Sequence, residues 1–162
     1  VGLDFIFKFL KIYAIHHCME IVMHTKGRCF LARITAGKDL IETVETFCRE
    51  VSIQTGVFCA SGVLSSYTIG AYDPKQQVYV TFSEQAPREM VVCSGTLCMK
   101  DGSLSASAHV VLADDQGRTS GGRLFSPSLV FGGDLRVEEW IGPPMERIYE
   151  TNGLMCIKKV CG

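Results

Sequence analysis

His109 is the residue around which chemistry would have to be assembled. It lies in the stretch LSASAHVVLAD, where strict alternation sends Leu104, Ala106, Ala108, Val110 and Leu112 to one face of a strand and Ser105, Ser107, His109 and Val111 to the other. An imidazole placed this way acts as a metal ligand or a base only if partners converge on it. Cysteines are the first partners to consider, and the chain has eight: Cys18, Cys29, Cys48, Cys59, Cys93, Cys98, Cys156 and Cys161. None forms a CxxC pair, and the closest spacings are Cys93 to Cys98 and Cys156 to Cys161. They read as buried small apolar thiols of a reducing cytoplasm, not as metal ligands or a disulfide scaffold. A Cys-His nucleophile would need one thiol activated by His109, and with so many thiols an accidental approach carries little weight.

The remaining titratable groups are poorer material. His16 and His17 lie in the leading segment and His24 precedes the first strand, and all three read as exposed, without ligand spacing to His109. Asp114-Asp115 and Glu138-Glu139 are sequence neighbours, so their side chains diverge and cannot face one another as an acid and a base; they read as solvated. Gly117, Gly121-Gly122 and Gly132-Gly133 are followed by no helix that could receive a phosphate, and are assigned to turns and bulges.

The elements that must position these residues belong to one domain. A chain of 162 residues with 47% hydrophobic and 20% charged side chains buries a core without staples. Its net charge of −1 supplies no basic field for phosphates. Residues 1–18 are apolar and aromatic, but Asp4, Lys8 and Lys11 interrupt them too soon for a membrane span, and no basic region or small-residue cleavage site marks a signal peptide. They read as a leader or non-native extension, with the domain occupying 19–162.

GRCFLARIT from Gly27 suits a first strand. Asp39 then lies in the first turn of a helix of about fourteen residues, with Leu40, Ile41, Val44, Phe47, Cys48 and Val51 on its apolar face and Glu42, Glu45 and Arg49 on its polar one. Strands follow: GVFCASG, LSSYTIGAYD, QVYVTFS, EMVVCSGTLCMK with Gly95 as a bulge or close approach, LSASAHVVLAD, RTSGGRLF and SLVFGGDLRVEEWI, ending at the Pro143-Pro144 break. The fold class is α+β: a mainly antiparallel β-sheet with one main amphipathic helix, whose uncovered face needs a second layer or another subunit.

Several of these segments resemble the plants-and-prokaryotes-conserved (PPC) domain. ITAGKDLIETVETFCRE is similar to that family's helix opening, GVFCASGVLSSYTIGAYD to its Ser-Gly element and following strand, EMVVCSGTLCMKDG to a strand with Glu89 first and Gly95 after it, and SAHVVLADDQGRTSGGRLF, most specifically, to its His-bearing hairpin. The likeness runs from about Gly27 to Ile141. It implies an antiparallel sheet with flanking helices, assembled as a homotrimer, in a family commonly described as DNA-binding.

The resemblance also implies a site. In many prokaryotic relatives three histidines of this hairpin form a cluster suited to zinc. Here His109 matches one of them, while Ser107 and Arg123 stand at the other two positions, and a guanidinium cannot be a ligand. No metal and no cofactor is therefore expected. Simple pairing across the Asp115-Gln116 turn sets His109 opposite Gly122 and turns Arg123 away; a bulge at Gly121-Gly122 would bring it back. A niche of Ser107, His109, Arg123 and Glu89 would then suit a small anion. The expected function is a non-enzymatic, cytoplasmic homotrimer that associates weakly with DNA and with no membrane. The alternative is a small-molecule or anion sensor, or minor enzyme, using the niche around His109. Among the cations, Lys26, Arg28 and Arg33 would be the first neutralised in a test of DNA binding.

Overall fold

The computed structural model describes residues 20–160, so the expectations for the leader, with His16, His17 and Cys18, lie outside the described residues, as does Cys161. Eight strands and one helix follow in order: β1 (Thr25–Ile34), α1 (Leu40–Glu50), β2 (Gly56–Asp73), β3 (Val78–Glu84), β4 (Arg88–Lys100), β5 (Ser103–Ala113), β6 (Thr119–Ile141), β7 (Met145–Tyr149) and β8 (Met155–Lys159). The described residues are mostly β-sheet with a single short helix.

One sheet runs β3-β2-β6-β5-β4-β7-β8, with β1 paired to the far half of β6. Strand β2 pairs with β4 as well as with β6, so β2, β4, β5 and β6 close into a ring. Two segments expected as separate strands are each continuous with a neighbour. β2 runs through Gly62, whose φ of +119° and close approach to the Gly132 carbonyl leave no room for a Cβ. β6 likewise joins RTSGGRLF to SLVFGGDLRVEEWI. The β7–β8 hairpin, beyond the Pro143-Pro144 break, had no counterpart in the sequence expectation, because MERIY and MCIKK are short and mix charged with apolar residues.

The concave face of the sheet and α1 enclose the core. Leu40, Val44 and Cys48 on α1 are buried with Phe58, Leu64, Leu97, Ala108, Val110, Leu112, Leu124 and Val137. Asp39 is the N-cap and not a first-turn residue: it accepts from Glu42 N at 2.8 Å, and its carboxylate also takes Ser126 Oγ at 2.8 Å and Ser128 N at 2.5 Å. One aspartate thus starts the helix and fastens it to β6. Gly95 is a close approach: a Cβ there would come within 2.3 Å of the Phe58 ring, while the register irregularity of β4 falls at Met90/Val92.

The convex face is not bare everywhere. The β7–β8 hairpin lies over part of it: Arg147 Nη2 donates to Thr96 on β4, and at the hairpin tip Asn152 O accepts from Tyr72 Oη on β2 at 2.5 Å.

Candidate functional site

The β5–β6 turn decides which residues meet. Asp114 N donates to Arg118 O and Gly117 N to Asp114 O, both at 3.0 Å, while Gly117 takes φ +76°. This is a turn closed by a glycine in the left-handed region, and it holds one residue more than a tight two-residue turn. The extra residue shifts the register: His109 pairs directly with Arg123, and Gly122 with Val110. The expected pairing of His109 with Gly122 is corrected, and Arg123 shares the face of His109 without any bulge at Gly121-Gly122. Asp114, expected to be solvated, holds this turn instead. Burial pushes its carboxyl up, but hydrogen bonds from Arg118 N and Nε and from Gln116 N outweigh that and hold it below its ordinary range.

On the neighbouring strand Ser94 pairs with His109, and Thr96 with Ser107. On the other side Arg123 pairs with Gly70, which pairs with Thr81. Ser94, His109 and Arg123 therefore form one row across the convex face, with Thr96 and Ser107 in the next. Arg123 lies over the rings of Tyr79 and Phe125, 5.1 and 5.3 Å from their centroids. Glu89 is not brought into this group. It pairs with Ala113, five residues along β4 from Ser94, which is roughly 16 Å at about 3.3 Å per residue.

Arg147, absent from the sequence expectation, joins the site from β7. It is only 7% exposed, and its Nη2 donates to Thr96 O at 2.9 Å and Thr96 Oγ1 at 2.6 Å. Burial pulls its pKa down, and the Arg123 guanidinium pulls it in the same direction, against the Cys98 thiol. Among the described residues neither arginine has a carboxylate within salt-bridge distance. No signal in the sequence marked Arg147, because it follows the Pro143-Pro144 break on a strand too short to show periodicity.

Other expectations are corrected by the same geometry. Glu138 and Glu139 are not simply solvated: Lys26 Nζ sits 2.8 Å from Glu138, and Arg28 forks onto Glu139 with Nε and Nη2 at 2.7 and 2.8 Å. Two of the cations named for DNA contact are thus neutralised within the chain, and Arg33 pairs across the sheet with Asp134. His24 is half-buried, donating Nε2–H to Pro143 O at 2.9 Å. Cys48, Cys93 and Cys98 are buried as expected, whereas Cys29 and Cys156 are exposed. No group of three or more His, Cys, Asp or Glu is placed to hold a metal ion among the described residues. No described helix is long and apolar enough to cross a membrane.

Comparison with known proteins places this geometry. A metal-containing protein of Archaeoglobus fulgidus superposes with a TM-score of 0.83 at 33% identity, over 87% of this chain and all (100%) of that one. A candidate DNA-binding protein of Bacteroides thetaiotaomicron shares the fold at a TM-score of 0.74 and 17% identity, over 85% of this chain and 98% of its own. The bifunctional protein GlmU of Synechococcus sp. (strain JA-3-3Ab) is 35% identical over 105 residues, which is 64% of this chain but 16% of that protein's length. The model of the Plants and Prokaryotes Conserved (PCC) domain matches residues 22–139, and this chain belongs to that family.

Proposed function

We propose that the chain is a non-enzymatic, oligomerising module that works in the cytoplasm as a homotrimer and associates weakly with DNA. The observation that carries the assembly is the edge of the sheet. Strand β3 ends the strand order with one side unpaired, and Val78, Val80 and Phe82 on it are about half exposed. A row of apolar side chains on a free edge is a template for association unless something covers it. Leu31, 82% exposed, and Phe131, 67% exposed, add apolar surface elsewhere on the molecule. Sedimentation or light scattering should give about three times the 17.8 kDa monomer mass, and a monomer at micromolar concentration would overturn the reading.

Association with DNA draws on the Bacteroides relative, whose name makes it a candidate DNA-binding protein. The chain's own charges argue for weakness: 16 Lys and Arg stand against 17 Asp and Glu, and Lys26 and Arg28 are held by carboxylates. Few phosphates can be neutralised at once, so duplex binding should be non-specific, no tighter than roughly 10⁻⁴ to 10⁻⁶ M per subunit, with a shallow salt slope. Avidity in a trimer would raise this by about two orders of magnitude where the geometry lets subunits engage together. A salt-dependent binding isotherm tests it, and nanomolar sequence-selective binding would refute it. Burial pushes Cys48 and Cys93 up to about 11, so neither of these two thiols is a ready nucleophile.

A further inference from the structure

A buried arginine with no carboxylate beside it is costly, and placing a second guanidinium near it raises the cost. Arg147 is in that position. Its Nε is a buried side-chain polar atom with no hydrogen-bond partner among the described residues, although its Nη2 is fully engaged with Thr96. Thr96 Oγ1 accepts from Arg147, so its own hydroxyl hydrogen is turned towards another acceptor. Ser107 stands opposite Thr96 in the register, and Arg123 pairs with His109 in the adjoining row. These groups are donors, or can become donors, and no carboxylate is interleaved with them.

We propose that the convex face beneath the β7–β8 hairpin binds a small oxyanion of the phosphate or carboxylate kind, held by Arg147 and Arg123 with the hydroxyls of Thr96 and Ser107 and with His109 at the rim. The anion supplies what the site lacks: acceptor oxygens for Arg147 Nε and the Thr96 hydroxyl, and negative charge to offset two like-charged guanidiniums. Arg123 lies over the Tyr79 and Phe125 rings, and among the described residues no carboxylate is within salt-bridge distance of it. A DNA backbone is a poorer occupant, because Arg147 is only 7% exposed and a rigid duplex reaches exposed guanidiniums more readily than buried ones. The inference is independent of the DNA reading and needs no nucleic acid for its test.

The test is thermal unfolding of the full chain at fixed ionic strength, titrated separately with inorganic phosphate and with acetate, chloride serving as the control. A ligand that binds only the folded state raises the melting temperature along a saturating curve. Phosphate, acetate or both should do so, and the stronger of the two identifies the head group. Arg123→Gln should weaken the apparent affinity by about tenfold or more, the loss expected for a charge-assisted hydrogen bond. Ser107→Ala should weaken it less, and Lys75→Gln, in the exposed β2–β3 turn, should leave it unchanged. Arg147→Met should abolish the effect; where that variant fails to fold, Arg123→Gln and Ser107→Ala carry the test. Absence of a saturable shift with either anion, or a shift unaltered in Arg123→Gln, would overturn the proposal. So would a loss of subunit assembly in Arg123→Gln without any anion effect, since a carboxylate of a neighbouring copy would then be the true occupant.

Discussion

Arg123 stands directly across β5–β6 from His109, and the residue that puts it there is Gly117, at the far end of the hairpin. With φ at +76°, Gly117 completes a turn that contains one residue more than the shortest hairpin would. Because side chains alternate with a period of two, that one residue decides whether Arg123 joins His109 or faces the core.

Gly117→Val should therefore destabilise the protein by about 1–2 kcal/mol, the cost of a side chain in the left-handed region. The space around Gly117 is open, so the penalty is conformational and not steric. Chemical denaturation checks the size. If Gly117→Val is as stable as the parent, the turn does not hold the register as described.

The same pairing makes the site convertible. Ser107, His109 and the residue at 123 share one face on adjacent strands, so Ser107→His combined with Arg123→His should present three imidazoles to one side and bind about one zinc per chain. The parent should bind none, because a guanidinium repels the ion. Elemental analysis after dialysis distinguishes the outcomes, and stoichiometric zinc in the parent would assign the metal to other side chains.

What the sequence made legible follows from periodicity. The alternation of Leu104, Ala106, Ala108, Val110 and Leu112 put His109 and Ser107 on the opposite face, and all five apolar residues are buried. The helix was legible because Leu40, Val44 and Cys48 recur at one-turn spacing, although its start moved when Asp39 proved to be the cap. Three features were not legible, each for a physical reason. A turn's residue count depends on one glycine's φ, which no pattern of hydrophobicity encodes. The continuity of β2 through Gly62 depends on contact with Gly132 and Gly133, far along the chain. Arg147 belongs to the site only because a short hairpin folds back over Thr96, a contact between residues 51 apart in sequence. Glu89, expected in the niche around His109, instead pairs with Ala113 and is carried away along β4.

Thiol reactivity should divide by burial. Cys29 and Cys156 are exposed and should react with a thiol reagent in the native state at pH 8, while Cys48 and Cys93, pushed up to about 11 by burial, should not. Cys98 is raised by burial as well. Peptide mapping by mass spectrometry after brief alkylation, with and without denaturant, reads this directly. Native labelling of Cys48 comparable to that of Cys29 would mean that α1 opens readily from the sheet.

Glu139 ties the start of β1 to the end of β6, and its titration should be visible in stability. The Arg28 side chain, bonding through both Nε and Nη2, holds the carboxyl down at about 2 against a burial effect that opposes it, and the Arg28 backbone N–H adds a third bond at 3.1 Å. A carboxyl with a depressed folded-state pKa stabilises the fold above its unfolded value of 4.5, and that contribution is lost as pH falls from there through about 2. Taken at face value the shift corresponds to about 3 kcal/mol. The Arg28 side chain is 50% exposed, however, and solvent screening reduces the contribution to about 1 kcal/mol. Glu139→Gln should therefore be less stable than the parent by about 1 kcal/mol at pH 7, with the gap narrowing below pH 4.5 and nearly closed by pH 2. Raising the salt concentration at pH 7 should shrink the same gap. Urea denaturation of both proteins across this range measures it. A gap that stays constant from pH 7 to pH 2 would assign the loss to packing around Gly27 and Ile141, and not to the ion pair.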